Sequence, residues 1–309
     1  MFKKRLAALL MAALLVFSFT GCGGDKPQDA DNQENKEPIK IATKQMTEQY
    51  ILGELLKALI EEKTDYSVEI TKGIQGGTSN IQPAMENGEF DLYPEYTSSG
   101  WVLVLKHEKG SLSDEEMFEA LKKEYTENFN MTWVSLYGFN NTYTLVCRKD
   151  IADQYNLKTT SDMAAVSENL VFGANPDYIE RADGYGILKD TYGLNFKDVK
   201  DIDIGLKYQA MDSGDIDVTN GYTTDAQLAR EDVVALEDDK HLQVNYFCST
   251  VVRNEALEEY EGLEEVLELM EGLISDKEMA TMNYQVEVEG KDEAEVAKAF
   301  LASKGLLGE

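Results

Sequence analysis

A chain of 309 residues with 43% hydrophobic content can bury a real core, and it is long enough for two modest lobes or one large domain. Its 58 Asp and Glu against 29 Lys and Arg give a formal charge of −29. Such a surface repels phosphate backbones, which excludes nucleic acid as a partner and mildly favours a cationic ligand. With two histidines and three cysteines, none at metal-ligand spacing, neither a metal nor a cofactor is expected.

Residues 1–21 run from a basic start (Lys3, Lys4, Arg5) through an apolar stretch from Leu6 to Phe17 to small residues at Thr20-Gly21, the order of an export signal. The apolar stretch is shorter than the roughly 20 residues of a membrane span. Cys22, directly after the small residues, resembles the modified cysteine of the bacterial lipoprotein lipobox, with Phe19 where Leu is usual. That resemblance implies an acylated thiol and an extracytoplasmic protein held to the bacterial cell membrane by lipid. Residues 22–38 are almost wholly Gly, Asp, Gln, Asn, Glu, Lys and Pro, the composition of a flexible tether.

From Ile39 short β-like runs alternate with helical ones. Ile39–Ala42 reads as a strand. A helix follows, with Thr47 as N-cap and Glu48 in its first turn. Ile51, Leu52, Leu55, Leu56, Leu59 and Ile60 recur at helical spacing and give one buried stripe. Ser67–Thr71 alternates as a strand, and the turn Gly73–Thr78 leads into a helix ending near Gly88. Phe90–Tyr93 is the next strand. Ser113-Asp114-Glu115-Glu116 has capping-box spacing and opens a helix to about Asn128. Strands are predicted over Thr132–Leu136, Thr142–Cys147, Leu170–Ala174, Asp201–Ile204, Ile216–Val218 and Val233–Leu236. The tail is helical over Glu255–Ile274, is capped again at Ser275-Asp276-Lys277-Glu278, and ends with Glu293–Ser303. Alternating strands and helices imply an α/β protein with parallel sheets and ligands at strand ends. Cys147 and Cys248 are open to either a disulfide or two buried free thiols, since the sequence does not give their separation.

The most specific signal is Asn87-Gly88-Glu89-Phe90-Asp91-Leu92-Tyr93-Pro94-Glu95-Tyr96-Thr97. It stands in order with Lys44-Gln45-Met46-Thr47-Glu48-Gln49, Gly76-Gly77-Thr78, Arg181-Ala182-Asp183-Gly184-Tyr185-Gly186 and the run Tyr208–Asp217. Further along come Gly221-Tyr222-Thr223-Thr224-Asp225, Leu236–Lys240 and Met282-Asn283-Tyr284. Together these resemble the substrate-binding proteins of osmoprotectant ABC importers, which take glycine betaine, carnitine, choline and related compounds. The resemblance spans residues 39–303. It implies a two-lobed clamshell of the type II periplasmic-binding-protein kind, with the cleft between lobes. Lobe one would combine 39–136 with 240–309, and lobe two would be 137–239. It also implies a monomer that works with an ABC permease and its ATPase, and no enzymatic activity.

A quaternary ammonium has no N–H to donate and spreads its charge over methyl groups. The face of an aromatic ring, apolar and electronegative, suits both features, at about 0.5–1 kcal/mol per exposed contact and about 2 or more when desolvated. The family's cage is built of tyrosines, and the resemblance assigns that role to Tyr96, Tyr143, Tyr222 and Tyr246. At Tyr246 the family's usual prolines are missing from Val244-Asn245-Tyr246-Phe247-Cys248, which leaves Phe247 as a fallback. A betaine carboxylate needs cationic or N–H donors. Lys44, just after the first strand, and Arg181 are the candidates, although Arg181 is equally an internal ion pair with Asp183. Ser99, neutral where an acid would suit choline, suits a zwitterion or a broader range of ligands. Asn141 and Thr224 are candidate partners for the polar end.

The competing readings are an exported lipid-anchored enzyme and a sensor or adhesin domain without a transport role. His107 and His241 have no partners at metal or triad spacing, and Gly73–Gly77 lacks the dinucleotide fingerprint. Among ligands, ergothioneine-like trimethylammonium betaines share a quaternary ammonium head with glycine betaine, carnitine, proline betaine and choline.

Overall fold

The computed structural model describes residues 37–108, 112–180, 184–203 and 205–308. The expected export signal, Cys22, all but the last two residues of the tether, and Arg181 lie outside them. Among the described residues no helix is long and apolar enough to cross a membrane.

Among the described residues, ten strands form two five-stranded sheets. β1 (Ile39–Lys44), β2 (Val68–Ile74), β3 (Leu92–Tyr96), β4 (Met131–Asn140) and β10 (Phe247–Arg253) form the first, in the order β2-β1-β3-β10-β4. β5 (Tyr143–Arg148), β6 (Val171–Ala174), β7 (Asp198–Asp201), β8 (Val218–Tyr222) and β9 (Val233–Ala235) form the second, in the order β7-β6-β8-β5-β9. The chain leaves the first sheet after Asn140 and returns between Ala235 and Phe247. Both sheets are mixed, not parallel as expected. β1 runs parallel to β2 and β3, but β10 is antiparallel to both β3 and β4. In the second sheet β6 is parallel to β7 and β8, while β5 is antiparallel to β8 and β9. The antiparallel members are the strands beside the two crossings, where the chain changes sheet instead of returning through a helix.

Each sheet carries apolar clusters of its own. The stripe Ile51, Leu52, Leu55, Leu56, Leu59 and Ile60 is fully buried, on the helix Thr47–Lys63, together with Ile39, Ile41, Leu267 and Leu301. Truncating one such leucine to alanine costs about 2–5 kcal/mol. Tyr93, Tyr125 and Trp133 fill a second cluster of the first sheet. Phe172, Leu145, Leu188 and Val218 lie in a cluster of the second. Cys147 and Cys248 are buried free thiols on β5 and β10, in different sheets, and burial pushes the Cys147 thiol up to about 12.

Several boundaries move. The cap of the first helix is Met46, with no side-chain bond, and Thr47 is already helical. β3 starts at Leu92 instead of Phe90 and runs on through Pro94 to Tyr96. β7 precedes the expected Asp201–Ile204, and β8 runs past Val218 to Tyr222. The expected helix Glu255–Ile274 is two, Asn254–Glu259 and Leu263–Glu268, separated at Gly262, whose φ of +84° is the left-handed region that glycine tolerates. The capping boxes at Ser113 and Ser275 are formed as the spacing predicts.

Candidate functional site

A cleft of about 500 Å³ lies where the carboxyl ends of β1 and β3 meet the crossings and the end of β8. Eight of the nine sequence-predicted ligand residues line it: Lys44, Tyr96, Ser99, Asn141, Tyr143, Tyr222, Thr224 and Tyr246. The ninth is Arg181, outside the described residues.

The strands explain the placement. Tyr143 and Tyr222 are directly opposed across the antiparallel β5–β8 pair, so their rings meet on one face. The centroids are 4.7 Å apart at 27°, and Tyr222 Oη donates to Tyr143 Oη at 3.1 Å. Tyr178 abuts Tyr143 with centroids 5.4 Å apart. Tyr96 ends β3, opposite Cys248 of β10, and is 6% exposed. Tyr246 sits in the return crossing. Its N–H donates to Asn140 Oδ1 at 2.7 Å, and its carbonyl accepts the Asn141 N–H at 3.2 Å, so the two crossings are bonded to each other. Asn140 Nδ2 to Asn245 Oδ1 (2.8 Å) and Thr142 Oγ1 to the Val244 carbonyl (2.6 Å) add to this ladder.

Lys44 is less available than its position suggests. Its ammonium pairs with fully buried Glu95, which also accepts from Thr78 Oγ1 and the Tyr96 N–H, each at 2.7 Å. The same ammonium lies 4.7 Å from the Tyr96 ring centroid. Ser99 is half-buried at the end of the short turn Thr97–Ser99 that follows Tyr96.

Sequence reasoning missed the acidic and amide groups of the wall. Glu48, 2% exposed, accepts from Tyr96 Oη at 2.5 Å, Asn141 Nδ2 at 3.0 Å and Asn283 Nδ2 at 3.4 Å. Burial pushes its carboxyl above the ordinary 4.5, opposed by the bonds from Tyr96, Thr224, Asn141 and Asn283. Burial also lifts the Tyr96 phenol well above its usual value, and the neighbouring Glu48 charge adds to that. Asp225 accepts from Lys207 Nζ at 3.0 Å and Tyr208 Oη at 2.8 Å, so its charge is compensated. Glu287 stands exposed at the rim, with its carboxyl raised by partial burial. Met46, Thr47, Thr142 and Ala226 complete the lining. The motif runs around Lys44–Gln49 and Met282–Tyr284 held the signal for Glu48 and Asn283. Glu48 also fits as a helix-terminal acid, which conceals its second use.

The arrangement offers aromatic faces and hydrogen-bond acceptors, with no free cation among the described lining residues. It suits a bulky cation better than an anion.

The family model for the substrate-binding domain of ABC-type glycine betaine transport systems matches residues 37–303. The chain belongs to that family. Over 89% of its length it is 42% identical to the ergothioneine transport permease/ergothioneine binding protein EgtU of Helicobacter pylori, of which it spans 49%. It is 34% identical to the carnitine transport binding protein OpuCC of Listeria monocytogenes, covering 97% of this chain and 96% of that one. Among solved structures, that of a glycine betaine/carnitine/choline ABC transporter superposes with a TM-score of 0.81 at 32% identity, over 87% of this chain and 99% of the other. Apo YehZ from Escherichia coli gives 0.78 at 25%, over 88% and 100%. Lactococcal OpuAC, at 0.51 and 15%, shares the fold: the two-lobed α/β architecture of type II periplasmic binding proteins.

Proposed function

We propose that this family member is the solute receptor of an ABC importer and that it captures a quaternary-ammonium compatible solute such as glycine betaine, carnitine, proline betaine or choline, with Tyr96, Tyr143, Tyr222 and Tyr246 forming the cage. The supporting observation is their convergence, from both sheets and a crossing, on one 500 Å³ cleft with an acidic wall. Several desolvated rings at about 2 kcal/mol each supply much of the roughly −8 kcal/mol of micromolar affinity, against the ordering costs of binding. Such a cage also loses less to salt screening than an exposed carboxylate does. Lys44, Ser99, Asn141, Thr224 and Arg181 are assigned to the ligand's polar end. Lys44 would act there through N–H groups not used on Glu95, which makes a carboxylate-bearing betaine a better guest than choline. The receptor is assigned to the extracytoplasmic side as a monomer, anchored through a lipid on Cys22, and delivering to a permease driven by an ATPase.

A second reading is favoured by a specific observation. Trimethylammonium donates no hydrogen bond, yet Glu48, Asp225 and Glu287 line the cleft and, among the described residues, no donor reaches the buried Asn283 Oδ1. A betaine that also carries ring N–H groups, as ergothioneine does, uses acceptors that glycine betaine leaves idle. The 42% identical relative points the same way.

Calorimetric titration with glycine betaine, proline betaine, carnitine, choline and ergothioneine tests both readings. Micromolar or tighter binding of at least one betaine is expected. Tightest binding of ergothioneine selects the second reading. Choline binding far above every betaine, or no onium binding at all, overturns the proposal.

A further inference from the structure

Glu48 poses a problem that the cage alone does not solve. Its carboxylate is held out of water on the cleft wall. Of the side chains bonded to it, Tyr96, Asn141 and Asn283 donate, and the Thr224 hydroxyl joins them. The Asn283 amide is oriented independently, because the same nitrogen donates to the Thr224 carbonyl at 2.9 Å. The two amide nitrogens only donate and the Tyr96 hydroxyl is placed to do so, so this set satisfies the carboxylate as the anion. Among the described residues no ion pair reaches Glu48. Lys44, the nearest basic residue in sequence, is neutralised by Glu95, and Lys207 by Asp225. The buried carboxylates of the cleft are thus compensated except for this one, and a buried charge without a counterion is costly.

We propose that Glu48 is the built-in counter-charge for the ligand's cation and strengthens the cage's preference for a charged head over a neutral one of the same shape, acting in part through Tyr96. This deepens the onium reading above and rests on it. The phenol that donates to the carboxylate gains electron density in its ring, so the Tyr96 face holds a cation more tightly. The bonds to Asn141 in the first crossing and, through Asn283, to Thr224 after β8 set the charge between the two halves of the cleft. The ring faces already favour a trimethylammonium over a tert-butyl group. The carboxylate behind the ring widens that difference.

The test is titration of the full chain and of Glu48→Gln with carnitine, glycine betaine, choline and ergothioneine. Each is paired with the carbon isostere in which tert-butyl replaces trimethylammonium. Glutamine keeps the shape and an acceptor oxygen and removes the charge. For whichever onium binds, Glu48→Gln is expected to lose tenfold or more in affinity, with less than a threefold change for its isostere. Equal losses for both members, or no loss, overturn the inference and leave the onium reading standing. Failure of the wild-type chain to bind any onium overturns the reading itself. Should Glu48→Gln not fold, as judged by circular dichroism, Tyr96→Phe is measured on the same pairs. A threefold or larger loss confined to the onium supports the proposal, and an equal change in both members contradicts it.

Discussion

Tyr143 and Tyr222 face each other across a strand pair, and neither has a sequence neighbour that announces the other. Motif position singled them out from 16 tyrosines, and register makes them one surface. Tyr143→Ala is expected to cost about 1–3 kcal/mol of onium affinity, and Tyr143→Phe less, because the ring face carries the interaction. Calorimetry checks both, and equal losses would assign the contact to the hydroxyl. Glu48 was legible only as an acid in a helix's first turn. Its bonds come from residues 48, 93 and 235 positions away, which no local pattern encodes. Its carboxyl lies above the ordinary 4.5, and the anion is the form that attracts the cation. Affinity is therefore expected to fall as pH drops through the range where this raised carboxyl takes up its proton, and to stay flat above that range. Lys44 on β1, Tyr96 on β3, Cys248 on β10 and Glu95 also act electrostatically in this region, and burial places the Tyr96 and Cys248 protons far above the window. Glu287 at the rim is raised as well and titrates in the same direction, so the pH profile of Glu48→Gln separates the two.

Helices with strong caps were legible, since Ser113 and Ser275 each carry the reciprocal glutamate three residues on. The Ser275 cap matters for the site, because the helix Asp276–Glu287 brings Asn283 and Glu287 to the cleft. Ser275→Ala is expected to lower stability by about 1 kcal/mol, read from the denaturant midpoint with the slope unchanged. Strand ends were less legible for a physical reason. β8 continues as Thr219-Asn220-Gly221-Tyr222 because those polar residues are paired with β5, whereas the apolar letters stop at Val218. β3 continues through Pro94, since β10 pairs with it along its length whereas β1 pairs with it only at Leu92. In both cases the strand runs on into the cleft, and the residue at its end is a tyrosine of the proposed cage. The split at Gly262 is a turn chemistry that the helical periodicity around it conceals.

The α/β class and the two-lobed architecture were legible from the order of motifs, but the antiparallel strands beside the crossings were not. Their pairing joins residues more than a hundred positions apart, as in β10 with β4. The two crossings, bonded through Asn140, Asn141, Thr142, Val244, Asn245 and Tyr246, are the segments by which the chain passes between the two sheets. A ligand that binds the folded cleft and not the unfolded chain adds about 2.7 kcal/mol of stability at a hundred times its dissociation constant. A betaine that binds is expected to raise the melting temperature accordingly, and its carbon isostere to raise it less. The most direct measurement is a crystal structure with the tightest-binding betaine in the cleft. The expected result is a methylated nitrogen within about 6 Å of the ring centroids of Tyr96, Tyr143, Tyr222 and Tyr246. An onium seated away from those rings, or a preferred guest with no onium group, would contradict the central claim.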